Sequence, residues 1–155
     1  MRSVRNHQYT VTIQWTGNLG TGTSAYTAYS RDHLLFASTK AVSVPMSSEP
    51  VFRGDMSRYS PEELLLASLS SCHMLWFLHV CSDAKVTVLE YTDQPTGVMV
   101  ESEDGSGEFR HVVLCPRVRI TEEERESELE SLHQQAHDKC FIARSVRFPV
   151  TIELK

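Results

Sequence analysis

The feature that most constrains this chain is a long apolar stretch that follows a helix start signal. Residues 64–80 contain no lysine, arginine, aspartate or glutamate, and carry apolar or small side chains on almost every side. Ser60 can cap the helix, Pro61 can occupy its first position, and Glu63 can complete a capping box. The pattern predicts a helix that is buried all round. Because a chain of 155 residues has little material to enclose such a helix, we expect a homodimer with this helix near its centre.

Strand patterns lie on both sides of the predicted helix. Residues 8–15 alternate between polar and apolar side chains, which predicts a strand with one buried face. A glycine-containing turn follows, and residues 25–30 are expected to return as a second strand. The residues expected on the buried face are Tyr9, Val11, Ile13 and Trp15. The segment 45–60 is expected to be an ordered loop.

The second half of the chain predicts further strands and one amphipathic helix. Strands are expected at 85–91, 98–101, 109–120 and in the closing segment VRFPVTIEL, with Pro116 marking a bulge or an edge. Thr121–Glu124 has the pattern of another capping box. It predicts a helix with the apolar stripe Leu129, Leu132 and Ala136, ending near Cys140. This element order indicates an α+β fold, with antiparallel sheets packed around the long central helix.

Composition narrows the class of protein. The chain has 41% hydrophobic residues and no linker or repeat, so we expect one domain over residues 1–155. Its net charge is -5 and it has no lysine or arginine block, which argues against a nucleic-acid partner. We expect no signal peptide and no run of about 18 apolar residues able to span a bilayer, hence no membrane association and a cytoplasmic protein. The four cysteines, at 72, 81, 115 and 140, have no CxxC spacing and are expected to be mostly reduced there.

Cys72 lies within the predicted helix, where most buried cysteines are simply small core residues. A reactive cysteine needs a stabilised thiolate, whereas burial in the middle of a helix disfavours it. An outside cation is one solution. A local break at Ser68, Ser70 and Ser71 is another, since it would place Cys72 at the start of a new helical segment.

Glu62 is the acidic residue of the first turn that the capping box does not use. On one continuous helix, Glu62 and Cys72 lie about 15 Å apart along the axis and about 80° apart around it. They therefore cannot touch within one chain. In a dimer whose helices cross antiparallel, Glu62 of one subunit can approach Cys72 of the other. The alternative is that Glu62 is a solvent-exposed acid favoured by the helix dipole.

Two segments give the chain a specific resemblance. Residues 60–72, SPEELLLASLSSC, resemble the NPEELL-x-A-x-x-x-x-C signature of the OsmC/Ohr family. Residues 136–140, AHDKC, followed by Ile142 and Ser145, resemble the second-cysteine segment of that family. The spacing of the two segments and the element order are similar over essentially the whole chain.

The resemblance implies an OsmC-like fold in an intertwined homodimer, and a thiol-dependent peroxidase that reduces organic hydroperoxides to alcohols. It implies a peroxidatic Cys72, a resolving Cys140 and a Cys72–Cys140 disulfide. It also implies an arginine and a glutamate that hold the thiolate, and Glu62 matches the glutamate. No metal, flavin or haem cofactor is implied; the reductant is a dithiol, such as a lipoyl group or a lipoylated protein.

The arginine is the departure from the pattern. The Ohr branch carries it in the first hairpin, where this sequence has GNLGTG. The OsmC branch places it shortly before the glutamate, which favours Arg53, then Arg58 and then Arg31. Each of the three is equally able to form a surface or interface ion pair. His73, directly after Cys72, is expected to be an interface or core group.

The residues themselves also suggest other functions. His133, His137 and Cys140 share one helix face at i, i+4 and i+7, which permits a metal site but supplies no fourth ligand. A cysteine hydrolase would need a histidine base that no spacing identifies. The main alternative is a non-catalytic OsmC-like protein that binds small apolar molecules. Cys81 and Cys115 are expected to be structural.

Overall fold

The computed structural model describes residues 4–154, and within this range it alternates short strands with two α-helices. The strands are β1 (Thr12–Trp15), β2 (His33–Phe36), β3 (Val44–Met46), β4 (Val88–Asp93), β5 (Thr96–Glu101), β6 (Gly107–Leu114), β7 (Pro116–Ile120) and β8 (Val150–Ile152), and the helices are α1 (Pro61–Asp83) and α2 (Leu129–Lys139). Short 3₁₀ helices lie at Pro50–Phe52, Glu123–Glu128 and Ala143–Ser145. Most strand pairs are antiparallel, and β6 with β8 is parallel. The α+β prediction is therefore confirmed.

The chain divides into two compact units, Met1–Leu64 and Leu65–Lys155. In the first unit, β1, β2 and β3 form an antiparallel sheet in that order. The prediction of a strand over residues 8–15 is correct only for its second half, and its expected buried face is wrong within one chain. Tyr9 is 85% exposed and Trp15 44% exposed. The single domain over residues 1–155 stays a prediction.

The returning strand expected at 25–30 is also wrong, because β2 begins later, at His33. Residues 16–32 form a loop whose ends are tied by the indole N–H of Trp15, which donates to the Ser30 carbonyl at 2.8 Å. A side chain at Gly17 would meet that same carbonyl, 1.9 Å from its Cβ. Gly17 therefore allows the two sides of the loop to approach closely.

Helix α1 starts as the sequence predicts. The Ser60 N–H donates to Glu63 Oε2 at 2.7 Å, and the Glu63 N–H donates to Ser60 Oγ at 3.2 Å. The helix buries one stripe: Leu69, His73, Phe77, Val80 and Cys81. Other apolar side chains are exposed, Leu75 at 63% and Leu78 at 37%. The expectation of a helix buried all round is therefore wrong for a single chain, and the homodimer stays a prediction.

Helix α1 is also long and apolar enough to cross a membrane, judged by length and composition alone. The expectation that no such segment exists is wrong on that criterion. Core helices of soluble proteins meet the same criterion.

The second unit packs α1 against α2 and two sheets. One sheet pairs β4 with β7, and the other has the order β5-β6-β8. The predicted strand 109–120 is divided at Cys115, so that Pro116 begins β7. Two apolar clusters result. One joins Phe77 and Val80 of α1 to Leu132 and Ala136 of α2, and the other joins Leu69 to the sheet of β6 and β8.

The start of α2 differs from the prediction. Glu123–Glu128 form a 3₁₀ helix, and α2 itself begins at Leu129 without a side-chain cap. The expected capping box at Thr121–Glu124 is not formed, because the Thr121 N–H, which Glu124 would bind in such a box, instead donates to the Thr87 carbonyl at 3.0 Å. The end of α2 is as predicted, since Cys140 is its C-cap residue.

Candidate functional site

Cys72 lies in the middle of α1, which is continuous from Pro61 to Asp83. The hydroxyl of Ser68 donates to the Leu65 carbonyl at 2.8 Å, and that of Ser71 donates to the Ser68 carbonyl at 3.3 Å. Both serine hydroxyls are therefore satisfied by carbonyl groups of the preceding helical turn. The local break that would have placed Cys72 at a helix N-terminus is therefore absent from α1.

Cys140 ends α2 in a turn that directs its thiol inward. Only 1% of the residue is exposed, and the Ala143 N–H points to its sulfur at 3.5 Å. Burial raises the pKa of the Cys140 thiol to about 11, against the lowering effect of the Ala143 N–H. The neighbouring Cys72 thiol raises this pKa further. The structure therefore brings Cys72 and Cys140 together, both as free thiols.

An apolar groove of about 350 Å³ opens beside Cys72. Its lining residues are Cys72, Leu75, Trp76, His79 and Phe141. The rings of Trp76 and Phe141 meet edge to face with centroids 5.6 Å apart. Phe141 follows Cys140 directly, so the wall of the groove and the second cysteine come from the same turn. A small apolar molecule in this groove would lie against the sulfur of Cys72.

Two buried histidines lie in the core next to the cysteine pair. His73 Nε2 and His133 Nδ1 are 2.9 Å apart, and the residues are 0% and 2% exposed. His133 also stacks on Phe77, with ring centroids 3.9 Å apart. Burial lowers the pKa of His73 to about 4 and that of His133 to about 3. Both imidazoles are therefore neutral around pH 7.

These contacts bear on the metal-site alternative. No group of three or more histidine, cysteine, aspartate or glutamate side chains in residues 4–154 is arranged to hold a metal ion. The His133 ring is instead engaged with His73 and Phe77. The shared helix face of His133, His137 and Cys140 thus does not assemble a metal site in the described part of the chain.

The candidate arginines and Glu62 belong to the first unit, and the cysteines to the second. Arg31 donates to the carbonyls of Tyr29 and Tyr26 and lies over both tyrosine rings. Arg58 forms ion pairs with Asp32 at 3.5 Å and Asp55 at 3.3 Å. Both are thus occupied by local partners.

Arg53 differs from the other two arginines. It ends the 3₁₀ helix in a left-handed conformation with φ of 65°. Its side chain is exposed, and within residues 4–154 neither Arg53 nor Glu62 forms a side-chain hydrogen bond or ion pair. Both remain free to act at a site, and their roles there stay predictions.

The remaining cysteines have ordinary structural surroundings. Burial raises the pKa of the Cys81 thiol to about 11, as expected for a core residue. The Cys115 N–H donates to Asp93 at 2.7 Å, and Asp93 also accepts from the Ser70 hydroxyl at 2.5 Å.

Sequence reasoning missed the roles of three residues at this site. Trp76 and Phe141 form the wall of the groove, and His133 is the partner of His73. The position of Phe141 directly after a predicted resolving cysteine was the available signal. The His73–His133 contact spans 60 residues and has no local sequence signal.

Comparison with known proteins places these features in a wider group. The model of the OsmC-like protein family matches residues 54–155, which include both cysteines. An OsmC-like protein of unknown function from Vibrio cholerae is 30% identical, with a TM-score of 0.82 over 97% of this chain and 100% of that one. No curated protein matches the chain.

Two structures of organic hydroperoxide resistance proteins share the fold at lower identity. The one from Elizabethkingia anophelis is 18% identical, with a TM-score of 0.67 over 97% of this chain and 100% of that one. The one from Legionella pneumophila is 16% identical, with a TM-score of 0.68 over 96% and 97%. The family match covers most of the chain and includes the paired cysteines, and a relative at 30% identity shares the fold over nearly its full length, so this chain belongs to the OsmC-like family.

Proposed function

We propose that this protein is a thiol-dependent peroxidase that reduces organic hydroperoxides to alcohols. The observation that carries the proposal is the pairing of Cys72 with Cys140 at the edge of an apolar groove. Two structurally similar proteins are named for resistance to organic hydroperoxides. A hydroperoxide with an apolar body fits the groove, with its peroxide group toward the Cys72 sulfur.

The chemistry needs only the two sulfurs and a reductant. The Cys72 thiolate attacks the distal peroxide oxygen, the O–O bond breaks, and the alkoxide takes up a proton and leaves as an alcohol. Cys72 is then a sulfenic acid. The Cys140 thiol displaces its hydroxyl, which forms the Cys72–Cys140 disulfide and water. A dithiol such as a reduced lipoyl group returns two electrons and two protons, so no further cofactor enters the scheme.

Activation of Cys72 needs a cation, because α1 runs through this position without a break and supplies no N-terminal dipole there. Arg53 is proposed for this role and Glu62 for orienting it, both acting across a homodimer. The exposed apolar side chains Leu75, Leu78 and Phe141 support such a dimer, since they leave an apolar surface beside the site. A peroxidase that needs reduced cysteines would operate in the cytoplasm, where thiols are kept reduced.

The test combines cumene hydroperoxide with reduced lipoamide and follows peroxide loss. We expect Cys72→Ser to abolish turnover, and Cys140→Ser to permit one oxidation without forming the disulfide. Cys115→Ser is the matched control and should turn over at the wild-type rate. Undiminished turnover in Cys72→Ser would contradict the mechanism. A disulfide mapped to Cys81 or Cys115 would reassign the resolving role.

The second candidate is a non-catalytic protein that holds a small apolar molecule in the groove. The lining of Leu75, Trp76 and Phe141 favours it on shape alone. The same assay separates the two functions. A wild-type protein that consumes no peroxide, yet shows Trp76 fluorescence quenching by cumyl alcohol, would favour binding over catalysis.

A further inference from the structure

The hydrogen bond between His73 and His133 is a polar tie between α1 and α2 inside an apolar core. Its nitrogen atoms are 2.9 Å apart. Within residues 4–154, no other hydrogen bond joins these two helices. The surrounding cluster is apolar and includes Phe77, Leu132 and Ala136. Apolar contacts have no fixed direction, so they permit α2 to slide along α1 far more readily than a directional bond does.

This tie is placed to control the distance between the cysteines. Cys72 directly precedes His73, and Cys140 follows His133 by seven residues, about 10 Å along a helix. The stacking of His133 on Phe77, at an interplanar angle of 14°, restrains rotation of α2 about its axis. A change in the sliding or rotation of α2 would therefore move Cys140 relative to Cys72.

The bond requires one ring nitrogen that carries a hydrogen and donates it, and one unprotonated ring nitrogen that accepts it. The groups that interact with His73 are His133, His137 and Asp93, and burial is the largest influence on its pKa, which is lowered to about 4. Burial likewise lowers the pKa of His133 to about 3. Near neutral pH the pair therefore has the protonation that the bond needs.

We propose that His73 and His133 are positioning residues that hold Cys140 against Cys72 and so set the rate of disulfide formation. The inference rests on the proposed function, which supplies the sulfenic acid on Cys72. The step is the attack of the Cys140 thiol on the Cys72 sulfenic acid, which forms the S–S bond and releases water. Its rate depends on how closely the two sulfurs are held, as in any intramolecular reaction.

The test distinguishes the effect of the hydrogen-bonding atom of His133 from the effect of the bulk of its ring. His133→Asn places an amide atom where Nδ1 was, whereas His133→Gln places its amide one bond further out. Each intact, reduced protein receives one equivalent of cumene hydroperoxide, and a sulfenic-acid trap with mass spectrometry follows Cys72. We expect the sulfenic acid to persist about ten-fold longer in His133→Gln, and His133→Asn to return to within about three-fold of wild type.

Leu132→Ala provides the control, because it weakens the same core cluster and leaves the His73–His133 bond in place. It should lose stability in urea without prolonging the sulfenic acid. Equal lifetimes in His133→Gln and wild type would overturn the proposal, as would a lifetime in Leu132→Ala as long as that in His133→Gln.

A second measurement does not depend on peroxide. In glutathione redox buffers, the fraction of Cys72–Cys140 disulfide reports how closely the sulfurs are held. We expect His133→Gln to need about ten-fold more oxidised buffer for half-formation, and an unchanged midpoint would overturn the positioning role. If wild-type protein forms no sulfenic acid but the midpoint shifts as expected, the proposed peroxidase fails while the positioning role stands.

Discussion

The buried histidine pair should make this protein lose stability as the pH falls from 7.5 to 5. The folded-state pKa values of His73 and His133 are lowered to about 4 and about 3, from an ordinary value of 6.5. Both residues are buried, with His73 0% exposed and His133 2% exposed. Burial is the main cause for each, with the neighbouring His137 lowering the value for His73 further.

The direction of the effect follows from proton binding. Because the folded pKa lies below the unfolded value, the unfolded chain binds protons first as the pH falls. The stability is therefore complete above pH 6.5. It is lost as the pH falls toward about 4 for His73 and about 3 for His133. At pH 5 each histidine removes about 2 kcal/mol, so the pair removes about 4 kcal/mol relative to pH 7.5.

Urea unfolding at pH 7.5, 6 and 5 measures this loss. The matched variant is the double substitution His73→Gln and His133→Asn, whose amides place hydrogen-bonding atoms at the same positions but do not titrate. Carboxylates elsewhere titrate in both proteins and cancel in the comparison. We expect the wild type to lose about 4 kcal/mol more than the double variant between pH 7.5 and 5. Equal losses in the two proteins would refute the reasoning.

Three further results are expected. Ser60→Ala removes one of the two reciprocal cap bonds with Glu63 and should lower the free energy of unfolding in urea by about 1 kcal/mol; an unchanged midpoint would contradict this. Gly54→Ala puts a Cβ 1.6 Å from the Ser48 carbonyl oxygen and should cost about 2 kcal/mol in thermal unfolding; an unchanged melting temperature would show that the loop yields. Phe141→Ala removes a wall of the groove and should raise KM for cumene hydroperoxide about five-fold, from about 1 kcal/mol of lost contact; steady-state kinetics with an unchanged KM would place the substrate elsewhere.

The elements with local signals could be predicted from the sequence. The capping box of Ser60 and Glu63 forms as predicted, because all its bonds lie within four residues. The α+β class and the C-cap position of Cys140 were equally local. The two cysteine segments also identified the family, since each motif that defines it is a short, contiguous stretch of sequence.

Alternation and helix patterns failed where a distant contact decided the outcome. The alternating residues 8–15 were expected to bury Tyr9 and Trp15, yet alternation states only that two faces differ, not that a partner covers one. The predicted box at Thr121–Glu124 is not formed because the Thr121 N–H donates to the Thr87 carbonyl, 34 residues away. Competition from a residue so far along the chain leaves no mark on the local pattern.

The site shows the same division. The sequence named Cys72 and Cys140, and the tertiary structure brought their thiols close enough for Cys72 to raise the pKa of Cys140. It also decided that His73 pairs with His133 across 60 residues, and that Phe141 walls the groove beside Cys72. Local propensity is set by neighbours a few residues apart, whereas these contacts exist only because the packing of α1 against α2 fixes which faces meet.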